Sequence, residues 1–394
     1  MLSVAIPTKN RHEVLIETLR AMLQRIPDAD VEFVVSDNTP MSDALGQFIA
    51  QMDDPRLRID STSEKLTMSG NVERALGLVA GEYVMIMGDD DFLHPLAMPI
   101  LRKCLQSSPE CLIYPRGTYY WPDVEFPSEC DFFEKASVQI VSAPTLAVEH
   151  LSAQVALGDV IRSGAVYLMD LPGAYHAVVK KAVLDRYKRQ LGTFVPGPSP
   201  DMAMAVALAC TMDKYQRIFF PISIAGASYH SAAGMGRRDA HNASLDNLPT
   251  WLPANLKDSW GAELPRVWNG FTIYAHTVKD VCRQFGRPVD LNYEALLTKI
   301  IDQDRRDLQY VLRCSAFRDL PWSRRVAILS RGLLSSWNRS FFHYLPAIVR
   351  SRLIRRKAFF AIRSHHRDIQ SVGACMDLLA GLHGPLLSRE RAKP

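Results

Sequence analysis

The stretch GEYVMIMGDDDFLHP, residues 81–95, decides how the chain is read. Tyr83 to Met87 is an apolar run with the character of a buried strand. Gly88 closes it, and three consecutive carboxylates follow, Asp89, Asp90 and Asp91. Like charges this close to an interior repel, and a bound cation is the usual compensation. An extended backbone would put Asp89 and Asp91 on one side and Asp90 on the other, so that two carboxylates reach one ion or ligand. Carboxylate oxygens suit Mg²⁺ or Mn²⁺. A solvated acidic turn would have the same letters. The strand before it, and Pro95 placed to open a helix, favour a site at the carboxyl end of a sheet strand.

Upstream, residues 2–8, LSVAIPT, read as a buried strand, and Asn10 to Arg25 carry apolar residues at helical spacing. Val31 to Val35 is a second strand ending in Ser36-Asp37-Asn38. Residues 44–52 form a short helix, and Leu57 to Ile59 a third strand. Ser69 is placed to cap a helix that runs to Val79. Downstream, a helix over 95–106 and a strand at Leu112 to Tyr114 complete the unit. Strands alternating with helices predict an α/β fold, a mostly parallel sheet with helices on both faces. Residues 115–143 read as irregular, 146–157 as helix, 174–179 as strand and 182–191 as helix. The loop GTFVPGPSPD, 192–201, opens an Ala/Met-rich helix, and Ile218 to Ala225 is one more strand. From about Trp260 onward only helical patterns are visible.

The 394 residues suffice for two or three domains. Seven cysteines without CxxC or zinc spacing read as reduced thiols of a cytosolic protein. The opening MLSVAIPTKN enters a strand without a basic-then-apolar leader, and no 18-residue apolar run is present. Charge is unevenly spread. Residues 305–394 hold 18 Lys and Arg against 5 Asp and Glu, a balance of +13, while the remainder holds 28 against 37, a balance of −9. Such asymmetry predicts an anionic partner for the C-terminal part.

The order strand, helix, strand ending SDN, helix, then SGNVERALGLVAGEYVMIMGDDDFLHP, residues 69–95, resembles family 2 glycosyltransferases over roughly residues 2–235. The resemblance implies a GT-A-type, Rossmann-like sheet, a nucleotide-sugar donor, a divalent cation (Mn²⁺ or Mg²⁺) held by a D-x-D motif, and inverting transfer. It implies a catalytic domain over 1–240, with a nucleotide-sugar half at about 1–115 and an acceptor half at about 116–240. A basic, mostly helical C-terminal domain covers 241–394. Pro7, Thr8, Asn10 and Arg11, at the carboxyl end of the first strand, fall where the family contacts the nucleotide, although Arg11 reads equally well as a solvated first-turn residue. Asp37 takes the nucleobase position, where its carboxylate can accept from a base N–H. That suits uracil, hence a UDP-sugar, without excluding guanine or thymine. Asn71 and Arg74 fall on the helix near the diphosphate, with Lys65 in the loop before it, and Arg74 could equally be a surface arginine.

Read directly, Asp89-Asp90-Asp91 is a D-x-D. Aligned on Pro95, the family's common DSDDxxxP pattern falls on Gly88-Asp89-Asp90-Asp91, with glycine for the usual first Asp and Asp90 nearest the metal. The resemblance assigns Asp89 and Asp90 to the nucleotide-sugar, and Asp90, Asp91 and the later His230 to the metal. Asp201, at a helix start, takes the place of the general base, a role that contributes about 10²–10⁴-fold. By position alone it would be a dipole-stabilising first-turn residue. The Gly-containing loop from Ser231 to Arg238, with Arg237 and Arg238, reads as flexible and cationic, able to close over the diphosphate. His176 reads as an acceptor contact or a packed histidine.

Residues 321–367 interleave arginines with Trp337, Phe341, Phe342, Tyr344, Phe359 and Phe360, a composition suited to an anionic membrane surface. Solvated or internally paired arginines would give the same composition. Nucleic acid is disfavoured, since no binding motif accompanies the charge. The expectation is therefore a cytoplasmic transferase, peripheral on the inner face of the cytoplasmic membrane, acting on a saccharide or lipid-linked acceptor in surface polysaccharide or glycan synthesis. One rival is a nucleotidyltransferase making sugar nucleotides, which would want a glycine-rich basic loop where PTKNR stands. Another is a non-catalytic saccharide-binding or scaffold protein of the same fold, against which the carboxylates argue. A dinucleotide oxidoreductase lacks its GxGxxG.

Overall fold

The computed structural model describes residues 1–126, 133–141, 143–237, 243–344 and 363–391. Four strands, β1 (Leu2–Thr8), β2 (Val31–Asp37), β3 (Leu57–Ser61) and β4 (Tyr83–Ile86), run parallel in the order β3-β2-β1-β4. Their near-continuous apolar runs suit strands covered on both faces, and β1, β2 and β4 are almost wholly buried. Register levels Thr8 with Asp37 and Asp37 with Ser61, so three carboxyl ends meet at one edge. The α/β class is the one expected. The helix between β1 and β2, His12–Arg25, buries Leu15, Leu19, Met22 and Leu23. The helix before β4, Met68–Leu78, is capped by Thr67, which accepts from Gly70 N–H at 3.1 Å, and not by Ser69, whose hydroxyl donates to the Gly197 carbonyl at 2.8 Å.

Beyond β4 the chain departs from a simple alternation. A short β5 (Phe92–Leu93) intervenes, so the next helix starts at Ala97 and not at Pro95, and His94 Nδ1 accepts from Leu96 N–H at 3.0 Å. The main sheet continues as β4-β10-β6-β11-β9, using β6 (Cys111–Ile113), β9 (Thr145–Ser152), β10 (Ala177–Lys180) and β11 (Lys214–Phe219), with β10 antiparallel to both neighbours. Residues 146–152, expected to open a helix, lie in this outer strand. The helix begins only at Ala153, behind the cap Ser152. Ile218 to Ala225 is not one strand. Pro221 has no N–H to give a ladder, so the chain leaves the main sheet after Phe219 and re-enters a second sheet as β12 (Ser223–Ala227). That sheet has the order β15-β8-β7-β12-β5 and contains β7 (Gly117–Tyr120) and β8 (Ser137–Val141), in a region that reads as irregular from sequence.

The C-terminal part is mainly helical but not purely so. β13 (Ala243–Ser244) pairs with β14 (Val267–Trp268), and β15 (Arg363–His366) adds to β8. The helix Gly270–Gln284 lies on the helix Pro200–Thr211, close enough that a Cβ on Gly197 would meet Thr277 Cγ2 at 3.0 Å and Ala203 Cβ at 3.1 Å. One apolar core runs from Ala5 and Ile86 through Met202 to Ile273, Ile300 and Ile328. The last helix, Val372–Arg391, returns to the N-terminal helix. Val372, Cys375, Met376 and Leu379 share a core with Leu15 and Leu19, and Arg25 grips Asp377 through two bonds of 2.8 Å. Farther along, His383 Nδ1 faces His94 Nε2 at 3.0 Å.

Candidate active site

Asp37, at the end of β2, is fully buried. Its Oδ2 faces His12 Nε2 at 2.8 Å and accepts from Ser61 Oγ at 3.2 Å, while its Oδ1 is buried with no hydrogen-bond partner. An unpartnered buried carboxylate oxygen is costly unless a ligand donates to it. Asn71 is fully used as a brace. Its Oδ1 accepts from Ser36 Oγ at 2.8 Å, and its Nδ2 donates to the carbonyl of Thr8 at 3.0 Å. Arg74 is stapled to Ser36, to the Asp60 carbonyl and to the Asp60 carboxylate at 2.8–2.9 Å. Asn10 sits at φ +58° after Pro7 and Thr8, its N–H donating to Thr39 Oγ1 at 2.6 Å. Lys65 is exposed, in the loop whose next residue, Leu66, donates its N–H to Asn38 Oδ1 at 3.3 Å.

The three aspartates do not alternate as an extended strand would. β4 ends at Ile86 and Gly88–Asp91 is a turn, with Asp91 N–H donating to the Gly88 carbonyl at 3.3 Å. Asp89 accepts from Thr8 Oγ1 and pairs with Arg11, which also lies 3.7 Å from Asp90 Oδ1. Asp90 Oδ2 takes both the N–H (3.0 Å) and the hydroxyl (2.8 Å) of Ser228. Asp91 turns the other way. Its Oδ1 accepts from Gly226 N–H at 2.6 Å, and its Oδ2 accepts from Gly88 N–H at 2.6 Å and lies 3.0 Å from His176 Nε2. Asp201 opens the helix Pro200–Thr211, where Pro200 presets the first turn. Its Oδ1 accepts from Ser199 Oγ (2.6 Å) and Met202 N–H (2.8 Å), and its Oδ2 accepts from Tyr274 Oη at 2.5 Å.

Residues 3–137 match the family model described as Glycosyl transferase family 2. This segment is similar to the family 2 glycosyltransferases. The match takes in Asp37 and the aspartate triad and stops before His176, Asp201 and His230. No curated protein matches the chain. Among solved structures, S. aureus TarS 1-349 in complex with UDP-GlcNAc is 11% identical with a TM-score of 0.44, over 98% of this chain and 91% of that one. The structure titled simply S. aureus TarS is 13% identical with a TM-score of 0.38, and the alignment covers 58% of this chain but only 37% of that one. The mannosyltransferase PcManGT from Pyrobaculum calidifontis, in complex with GDP-Man and Mn²⁺, is 14% identical with a TM-score of 0.41, over 98% and 86%.

The electrostatics of the candidate site show where charge is under-compensated. Burial, only partly offset by Arg11 and reinforced by Asp90 and Asp91, pushes the Asp89 carboxyl up to about 7. Asp91 is held below its ordinary range. Burial pushes it up, but His176 and the N–H groups of Gly226 and Gly88 outweigh that. Arg11 is raised, its burial outweighed by the three aspartates. Among the described residues no group of three or more His, Cys, Asp or Glu side chains is gathered for a metal. Asp90 Oδ1 lies 3.7 Å from Arg11, beyond hydrogen-bond distance, and so keeps room for a cation of the kind held by one or two carboxylates plus substrate phosphates.

His230 is exposed and packs edge-on against Tyr229, two residues beyond the Ser228 that holds Asp90. The segment expected to be a flexible loop is the helix Ala232–Arg237, with Ser231 Oγ accepting from Gly234 N–H at 3.1 Å. Arg238, the side chains of Arg237 and Arg339, and the run from Arg350 to Lys357 lie outside the described residues. Two site residues escape sequence reading. Tyr274 comes from the distant helix Gly270–Gln284. Tyr175 lies within electrostatic reach of Asp201, Asp91 and Asp89, and burial with these charges raises its phenol. Gly226 shows how tightly the triad is clasped, since a Cβ there would fall 2.0 Å from the Asp90 carbonyl oxygen. Gly226→Ala is expected to destabilise the protein by about 1–3 kcal/mol or more, read as a lower urea midpoint, and to weaken donor binding with it.

Proposed function

We propose that the chain moves a sugar from a nucleoside-diphosphate-sugar, a UDP-sugar in the first instance, to a hydroxyl of a saccharide or lipid-linked acceptor, inverting the anomeric centre. The observation that supports this reading is that Asp201, Asp91 and Asp89 all act electrostatically on Tyr175, as expected of a base and a donor anchor near enough for direct transfer. The orphan Oδ1 of Asp37 is suited to accept a base N–H. Arg11 and Thr8, at the end of β1, stand where cation and hydroxyl donors meet a diphosphate. Asp90, with Asp91 beside it in sequence and His230 two residues beyond its partner Ser228, would hold Mn²⁺ or Mg²⁺. When bound, such an ion neutralises charge growing on the leaving diphosphate. Asp201 Oδ2 removes the acceptor's hydroxyl proton while the oxygen attacks the anomeric carbon. The bond to the diphosphate oxygen breaks on the opposite face, so one displacement inverts the centre. Residues 1–115 would serve the donor and 116–240 the acceptor. The basic C-terminal part would hold the enzyme against the inner, anionic face of the cytoplasmic membrane, in glycan or surface polysaccharide synthesis.

A thermal-shift screen of UDP, GDP, dTDP and CMP with Mn²⁺ tests the donor class. UDP with Mn²⁺ is expected to raise Tm, by RT ln(1 + [L]/Kd) in free energy, and excess EDTA to abolish the rise. Equal shifts with all four nucleotides, or none, would sink the donor assignment. The effect of Mn²⁺ should also depend on pH. Asp89, with its folded pKa about 7, keeps a proton that the unfolded chain has lost, so metal-free stability falls as pH rises from about 4 to about 7. A cation displaces that proton, so the Mn²⁺-induced shift is expected to be larger at pH 8 than at pH 6.

A further inference from the structure

The helix Trp322–Tyr344 presents two unlike faces. One is fixed inward. Ile328 is buried, a Cβ on Gly332 would stand 2.8 Å from Ile301 Cβ, and Ser335 Oγ donates to Asp302 Oδ1 at 2.7 Å. This face holds the helix against the neighbouring helix Tyr293–Gln303 and sets its rotation. The outward face carries Trp322, Val326, Leu333, Leu334 and Trp337, which are 76%, 42%, 37%, 57% and 63% exposed. Intervals of four, seven and four residues between Trp322, Val326, Leu333 and Trp337 align them in one stripe. At 1.5 Å per residue the two tryptophans stand about 22 Å apart along it. No Asp or Glu occurs from Trp322 to Tyr344, while Arg324, Arg325, Arg331 and Arg339 do. Arg305, bonded to Ser336 Oγ at 2.9 Å, borders the same groove as Leu333, Leu334 and Trp337.

We propose that this stripe is the surface that meets an anionic lipid bilayer, with the helix lying flat and Trp322 and Trp337 as its two interfacial anchors. The proposal rests on the membrane association proposed above and names the face that makes it. Tryptophan prefers the headgroup level, where its ring is buried and its N–H stays wet. Arg305 beside the stripe, and the +13 balance of residues 305–394, complement phosphate headgroups. Among the described residues no helix is long and apolar enough to cross a membrane, so contact would be lateral.

The test is flotation of the full chain with mixed phosphatidylglycerol and phosphatidylcholine vesicles, against pure phosphatidylcholine. The intact protein is expected to float with the anionic vesicles at low salt and to be released at high salt. The double variant Trp322→Ala, Trp337→Ala should lose binding by about tenfold or more, with unchanged circular dichroism and an unchanged nucleotide-induced Tm shift. If the intact protein does not float, both the stripe and the membrane reading fall. If the double variant floats as well as the intact protein, only the stripe falls, and other basic residues make the contact. A concentration-dependent dimer abolished by the double variant would overturn lipid as the occupant.

Discussion

Asp201→Asn is expected to reduce glycosyl transfer by about 10²–10⁴-fold, the range a positioned general base supplies, while UDP with Mn²⁺ still raises Tm as in the parent. The isosteric amide can keep accepting from Ser199, Met202 and Tyr274 through its oxygen, but it cannot take a proton. The loss should therefore appear in kcat and not in donor binding. Tyr274→Phe provides a graded companion. Losing the Tyr274 hydrogen bond leaves the carboxylate less firmly aimed, so kcat should fall, but by less than in Asp201→Asn. Unchanged turnover in Asp201→Asn would remove the residue from the role of base.

Asp91→Ala is expected to have the largest effect on stability, about 3 kcal/mol or more, measured as a shift in the urea midpoint at constant m. Three donors converge on this one carboxylate, the N–H groups of Gly88 and Gly226 and the ring of His176. Deleting it leaves buried donors without acceptors. Asp90→Asn should behave differently, keeping the fold and losing the Mn²⁺-dependent part of the nucleotide Tm shift. A midpoint for Asp91→Ala equal to the parent's would show that the turn is held by something other than this carboxylate.

These two predictions also mark what could be read from sequence. β1, β2 and β4 and the carboxylates at their ends were legible because each is a local pattern, an apolar run closed by a polar turn. The division of labour within the triad was not, because it depends on His176, Gly226 and Ser228, all far away in sequence. β10 was legible as the strand at 174–179, but β7 and β8 exist through pairing with each other and with the distant β12 and β15, and short segments of mixed composition carry little local signal for that. Residues 146–152 were misread as helix because Leu146, Val148 and Leu151 do not by themselves distinguish an outer strand from a helix start. Pro221 was a usable signal, since a proline inside an apparent central strand argues for a break. Tyr274 had none, because a tyrosine in an amphipathic helix looks like any other half-buried aromatic.

The return of the helix Val372–Arg391 to the N-terminal helix has a consequence for synthesis. Leu15 and Leu19 are synthesised well before Val372, Cys375, Met376 and Leu379, which complete their packing. At translation rates of about 5–20 residues per second, the first helix waits tens of seconds on the ribosome with that side uncovered. The nascent N-terminal half is therefore a client for chaperones that hold exposed apolar surface. A ribosome stalled before residue 372 would release a chain whose first helix stays open to misassembly.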